Sequence, residues 1–190
     1  MSHQRASKYM SLLLRHNPGA GGLTLDAGGW VAVARLLGAL NKKGHAISFA
    51  GLKAIVEEND KQRFAFSQDG TMIRASQGHS IAVDLGLVAQ CPPATLFHGT
   101  STSVLDAIRA SGILKQKRQY VHLSATEETA FTVGRRHGHA IVLTVDTAKV
   151  LATGRKFYLA DNGVWLVDHV PQTCIDWKKI IYDLSSNSDK

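Results

Sequence analysis

Cysteine is scarce: only Cys91 and Cys174 occur in 190 residues. Two cysteines cannot form a disulfide framework and are not spaced as a metal site, so both read as buried small hydrophobes in a reducing compartment. No apolar run approaches the roughly 18 residues that a membrane span needs, and no membrane partner is expected. Met1 to Lys8 is polar and lacks the apolar centre of a secretory signal, which leads to the expectation of a cytoplasmic protein. No G-x-G-x-x-G follows a strand and no P-loop occurs, which argues against the Rossmann and P-loop modes of nucleotide binding. Nine histidines raise the question of zinc. There is no H-E-x-x-H and no Cys/His pairing, and His137-Gly138-His139 has no acidic neighbours in sequence, so no metal is expected.

An apolar share of 44% with 19% charged residues suits a folded globular chain. The formal net charge of +7 points to an anionic partner. Residues 1–90 carry 10 Lys/Arg against 6 Asp/Glu, and residues 91–190 carry 12 against 9. The basic excess is therefore spread over both parts, as suits a ligand touching both.

The order of elements follows from periodicity. Ser7 to His16 has helical spacing at Met10, Leu13 and Leu14, with Ser7 as its cap, and Asn17-Pro18-Gly19 stops it. Trp30 to Leu40 reads helical, with Val33, Leu36, Leu37 and Leu40 on one side. Ser48 caps a third helix through Leu52, Ile55 and Val56, ending near Asn59-Asp60. Arg63 to Ser67 and Thr71 to Ala75 alternate around Gln68-Asp69-Gly70, a hairpin signal. Three helices and a hairpin are the order of a winged helix, which is fold-level analogy only. Gln90-Cys91-Pro92-Pro93 marks a boundary, because two prolines block both helix and central strand. Beyond it the chain reads as mixed α and β. Strands are expected at Leu96-Phe97, Tyr120 to Leu123, Ala140 to Val145, Gly163 to Val167 and Ile180-Ile181, and helices at Val104 to Ala110 and Glu127 to His137. The polar end, Ser185 to Lys190, reads as frayed.

Three basic groupings stand at element ends. Arg15-His16 closes the first helix, where a cation is either a dipole partner or an anion ligand. Arg63 opens the hairpin, as a solvated strand residue or a phosphate contact. Arg135-Arg136-His137-Gly138 ends a helix, as a solvated last turn or an anion site. Arginine suits phosphate because its planar fork donates parallel hydrogen bonds. His98-Gly99-Thr100 is read as following a short strand, with Gly99 allowing close backbone approach to a ligand. His122-Leu123-Ser124 ends the next strand with His122 and Ser124 facing one way. Gln77-Gly78-His79-Ser80 lines a ligand path, or forms a tight link between the two parts of the chain. Trp30 and Trp165 read as core and not as base-stacking platforms.

Together these motifs resemble the RNA 2′-phosphotransferase family, NAD⁺-dependent enzymes that remove the splice-junction 2′-phosphate from transfer RNA. The resemblance runs in order along nearly all of the chain. It takes in Ser7-Lys8 to His16, Gly22-Leu23-Thr24-Leu25-Asp26, Gly29-Trp30-Val31, Asn59-Asp60-Lys61-Gln62-Arg63-Phe64, Ile73-Arg74-Ala75 and Gln77 to Ser80. It continues through Leu96 to Thr100, Val121 to Ser124, Val133 to Gly138 and Asn162-Gly163-Val164-Trp165-Leu166. The resemblance implies an α+β chain of two lobes with the active site between them. Residues 1–90 would be winged-helix-like and bind RNA. Residues 91–190 would be ADP-ribosyltransferase-like, mixed α/β with antiparallel sheets, and bind NAD.

By the same resemblance Arg15, His16, Arg63 and Arg136 are catalytic, with Arg135 the adjacent alternative to Arg136. His98, Gly99, Thr100, His122 and Ser124 hold NAD, and Gln77 and His79 touch RNA. The partners implied are NAD, consumed as a co-substrate, and a tRNA-like RNA with an internal 2′-phosphate; the protein is expected to be a monomer. The implied reaction joins the 2′-phosphate to ADP-ribose with loss of nicotinamide. It then yields 2′-OH RNA and ADP-ribose 1″,2″-cyclic phosphate. The alternatives are ADP-ribosylation of a protein or of a terminal phosphate, and a non-catalytic NAD sensor. The only glutamates are Glu57, Glu58, Glu127 and Glu128. None falls in the last strands, which argues against a glutamate-dependent transferase.

Overall fold

The computed structural model describes residues 3–58 and 62–182. Asn59-Asp60-Lys61, where the third helix was expected to end, and the polar end from Ser185 to Lys190 lie outside the described residues. Contacts divide the chain into two compact units, Met1–Leu87 and Val88–Lys190.

In the first unit α1 (His3–Arg15) buries Ala6, Met10, Leu13 and Leu14, one stripe at helical spacing. Ser7 is not its cap: the residue sits inside α1, because the helix already runs from His3. Asn17 ends the helical run by accepting a hydrogen bond from Ala20 N at 3.1 Å, which starts a 3₁₀ turn over Pro18–Gly21. The second helix also starts later than its periodicity suggests. Val31–Ala32 form β1 and pair with Ile73 and Met72, so α2 spans Val33–Lys42. A β-slot beside the hairpin overrides the helical pattern of Trp30 to Ala32. Helix α3 (Phe49–Glu57) is capped as expected, Ser48 Oγ accepting from Gly51 N at 3.2 Å. The hairpin follows as β2 (Phe64–Phe66) and β3 (Met72–Ala75). The sheet order is β1-β3-β2, and the three helices close over it on Leu13, Leu14, Leu36, Leu40, Leu52 and Ile73. Truncating one such leucine to alanine costs about 2–5 kcal/mol.

The second unit opens with β4 (Ala89–Gln90) and β5 (Thr95–Ser101), then α4 (Leu105–Ser111), β6 (Ile113–Leu114), β7 (Val121–Leu123) and α5 (Glu127–Gly134). It continues with β8 (Ala140–Asp146), α6 (Thr147–Ala152), β9 (Phe157–Leu159), β10 (Trp165–Val167), β11 (His169–Val170) and β12 (Ile181–Tyr182). All pairings are antiparallel: one sheet is β12-β8-β5, another is β4-β9-β10-β7, and β11 pairs with β6. The two larger sheets meet where Phe97 and Ser124 exchange backbone hydrogen bonds at 2.9 and 2.8 Å. Strand β8 is buried from Ala140 to Val145, which is why it reads as a continuous apolar run and not as an alternating one. The architecture is mixed α and β with antiparallel sheets.

Several local expectations need correction. His98-Gly99-Thr100 lie within β5 and not after it, since all three pair with β8. The α-helix that begins at Glu127 stops at Gly134, and Arg135–His137 form a 3₁₀ turn. Gly163 belongs to the turn before β10, closed by its N–H donating to Ala160 O at 2.9 Å. Ala89–Gln90 pair with Tyr158 and Phe157, so their backbone joins the sheet of the second unit. Cys174 is buried but Cys91 is exposed. Trp165 is core, whereas Trp30 is half-buried under the Arg74 guanidinium, 4.5 Å from its ring centroid. No described helix is long and apolar enough to cross a membrane.

Candidate active site

In the first unit the end of α1 and the residues after β3 gather the basic groups. Arg15 is the last residue of α1, and its Nη2 donates to Arg63 O at 3.2 Å. Its guanidinium also lies 5.9 Å from the Phe64 ring centroid, so Arg15 and the start of the hairpin meet. His16 is exposed, and its Nδ1 lies 2.9 Å from Ser80 Oγ. The expected set Arg15, His16 and Arg63 is therefore local to one end of this unit, with Ser80 beside it.

His79 lies behind that set and is 1% exposed. Its two ring nitrogens have no hydrogen-bond partner among the described residues. Burial, and then the charges of Arg15, His16 and Arg74, push its pKa down from 6.5 to about 4. Burial first, and then these cations, keep it neutral at pH 7. His79 is thus deeply buried, whereas Gln77 is half-exposed.

In the second unit β5 and β7 bring two histidines together: His98 Nδ1 lies 3.1 Å from His122 O. Burial of the His98 ring lowers its pKa, the His122 carbonyl opposes that, and Arg118 and His137 lower it further. Arg118 donates from Nη1 to His122 Nδ1 at 3.3 Å, which makes Nδ1 the acceptor. Arg118 has its own pKa lowered, first by loss of solvent and then by Arg136. Thus Arg118 and Arg136 form a second cationic grouping beside His98, His122 and His137. Arg136 is exposed on the 3₁₀ turn after α5. Ser124 stands at the sheet junction, and Thr100 is buried.

Gly99 has a packing role. A Cβ there would overlap the Ala130 carbonyl, so α5 crosses β5 at a point where no other residue fits. The close approach expected of this glycine is to the protein's own backbone.

Arg118 carried no role in the sequence reading, while Arg74 and Ser80 entered it only as members of the motifs Ile73 to Ala75 and Gln77 to Ser80. Arg118 closes Lys115-Gln116-Lys117-Arg118, a basic run ahead of β7 that would have pointed to it. Arg74 and Ser80 gave no signal of their own, because only folding places them beside Trp30, His79 and His16. Among the described residues no group of three or more His, Cys, Asp or Glu could hold a metal.

Comparison with known proteins gives this geometry its context. The family model described as RNA 2′-phosphotransferase, Tpt1 / KptA family, matches residues 1–169. A protein of Agrobacterium fabrum named Probable RNA 2′-phosphotransferase is 49% identical over 184 residues, 97% of this chain and 97% of that protein. One of Acaryochloris marina with the same name is 52% identical over 165 residues, 87% of this chain and 91% of its own length. A third, from Pectobacterium carotovorum, is 47% identical over 175 residues, covering 92% and 94%. At such identity and coverage, this chain belongs to the RNA 2′-phosphotransferase family, Tpt1 / KptA.

Proposed function

We propose that this transferase removes an internal 2′-phosphate from RNA by moving it onto NAD⁺. The products are 2′-OH RNA, ADP-ribose 1″,2″-cyclic phosphate and nicotinamide, by way of RNA whose 2′-phosphate carries ADP-ribose. The observation that carries the reading is the gathering of Arg15, His16 and Arg74 around the buried, neutral His79. Cations held together at a cost in mutual repulsion are stabilised by an anion of matching charge, and a phosphate dianion is such a group.

The first unit, read as winged-helix-like, takes the RNA phosphate on Arg15, His16 and Arg63. The second, read as ADP-ribosyltransferase-like, takes NAD⁺. Its cationic grouping suits a pyrophosphate, with Arg118 and Arg136 as donors and His98 and His122 held within β5 and β7. Thr100 and Ser124 add hydroxyls beside them, while Gly99 contributes through packing. NAD⁺ supplies an electrophilic ribose carbon with nicotinamide as leaving group. A phosphate dianion is already nucleophilic, so the residues that bind it need to orient it more than to activate it. As charge builds on the phosphoryl oxygens, fixed guanidinium groups offset it. His16 is suited to move a proton in that step because an imidazole can both take up and release one near neutral pH. The reading carries with it a cytoplasmic monomer acting on tRNA-like RNA.

The test is reaction of the purified protein with RNA bearing one internal 2′-phosphate, with and without NAD⁺. NAD⁺-dependent release of 2′-OH RNA and the cyclic phosphate is the expected result. RNA left carrying ADP-ribose would limit the activity to the first step, and unchanged RNA would refute the reading.

A further inference from the structure

The Gln77 to Ser80 segment wraps the end of α1. Ser76 N donates at 3.0 Å to Arg63 O, the same carbonyl that accepts from Arg15 Nη2. Ser76 Oγ donates to Gln62 O at 2.8 Å. Gly78, at φ +87°, puts its backbone against the Arg15 guanidinium, where a Cβ would stand 3.5 Å from Nη1. Any other residue at Gly78 would be strained by that φ. Ser80 then makes two contacts. Its N–H donates to Arg15 O at 2.9 Å, satisfying one of the terminal carbonyls of α1. Its hydroxyl lies 2.9 Å from His16 Nδ1.

We propose that Ser80 is a positioning residue for His16, fixing the backbone at the end of α1 through its N–H and the orientation of the imidazole ring through its hydroxyl. A hydroxyl is suited to this because it serves both protonation states of the ring. It donates to Nδ1 of a neutral imidazole and accepts from Nδ1–H of an imidazolium. The ring is thus held while its charge changes, as a group that carries a proton requires. A carboxylate in its place would favour the charged form and cancel positive charge that Arg15 and Arg74 bring near His79. The inference rests on the reading of His16 as part of the phosphate site.

The experiment compares wild type, Ser80→Ala and Ser80→Thr as full chains. It reads the imidazole ¹⁵N shifts of His16 across pH without RNA or NAD⁺, and the single-turnover rate of 2′-phosphate removal across pH. Ser80→Ala is expected to change the tautomer ratio and titration midpoint of His16 and to slow phosphate removal about tenfold or more. Ser80→Thr keeps the hydroxyl and is expected to restore both. An unchanged His16 spectrum in Ser80→Ala overturns the proposal. So does a changed spectrum with a wild-type rate and pH profile. If wild type shows no NAD⁺-dependent removal while the spectra respond as expected, the functional reading falls and the positioning of His16 stands.

Discussion

Replacing His79 by leucine, a side chain of similar volume with no nitrogen to protonate, isolates the charge arrangement behind Arg15 and His16. His79 is 1% exposed, and burial with three nearby cations brings its pKa from 6.5 to about 4. Above pH 6.5 the ring is neutral in both the folded and unfolded chain and contributes no pH dependence. Below that the unfolded chain takes up a proton while the folded one resists until about pH 4, so stability falls as pH falls. At about 1.36 kcal/mol for each pH unit separating the two pKa values, the interval amounts to about 3 kcal/mol, most of it gone by pH 4. Urea unfolding of wild type and His79→Leu at pH 7, 6, 5 and 4 and constant ionic strength measures it. Asp69 and Asp146, whose folded pKa values are lowered by hydrogen bonds, also lose their stabilising effect in acid. Their contribution cancels in the difference between the two proteins. The leucine variant is expected to gain about 3 kcal/mol on wild type between pH 7 and pH 4. A difference that stays constant over that range would refute the reasoning, because His79 would then not be a buried imidazole kept neutral by its surroundings.

Three further outcomes are expected. Gly99→Ala forces a methyl group into the Ala130 carbonyl, and should destabilise the second unit by about 3 kcal/mol or more in urea unfolding; a loss under about 0.5 kcal/mol would contradict the packing. Ser48→Ala removes the hydroxyl that caps α3 and should cost about 1 kcal/mol in the same assay. Arg118→Ala removes a donor from the second cationic grouping and should lower NAD⁺-dependent phosphate removal by about 100-fold, with an unchanged urea midpoint. Retained activity would take Arg118 out of the site.

Local patterns carried far in this chain. The stripe Met10, Leu13 and Leu14, the cap at Ser48 and the Asp-Gly turn at 69–70 are short-range features, and each specifies its element through neighbours in sequence. Ordered motifs from Ser7 to Leu166 were enough to bring the family into view. Where helical periodicity misled, at Trp30 to Ala32, the competing force was a long-range backbone pairing with Met72 and Ile73 that no local window contains. The same holds for the strand at Ala89–Gln90 and for β9, each too short to announce itself without its partner.

The candidate site divides along the same line. Arg15, His16 and Arg63 were legible because they stand at element ends, where basic side chains are conspicuous, and His98 and His122 because each sits in a polar triplet beside apolar strand residues. Tertiary structure decided what surrounds them. His79 is buried among cations, Ser80 reaches His16 across 64 positions of chain, Arg118 meets His122 and Gly99 meets Ala130. The sequence by itself determined which residues are candidates for the chemistry, since residue type and local spacing are written in it. Which of them touch, and which of them are shielded from water, depends on chain segments far apart in sequence meeting in space, and only the tertiary structure decided that.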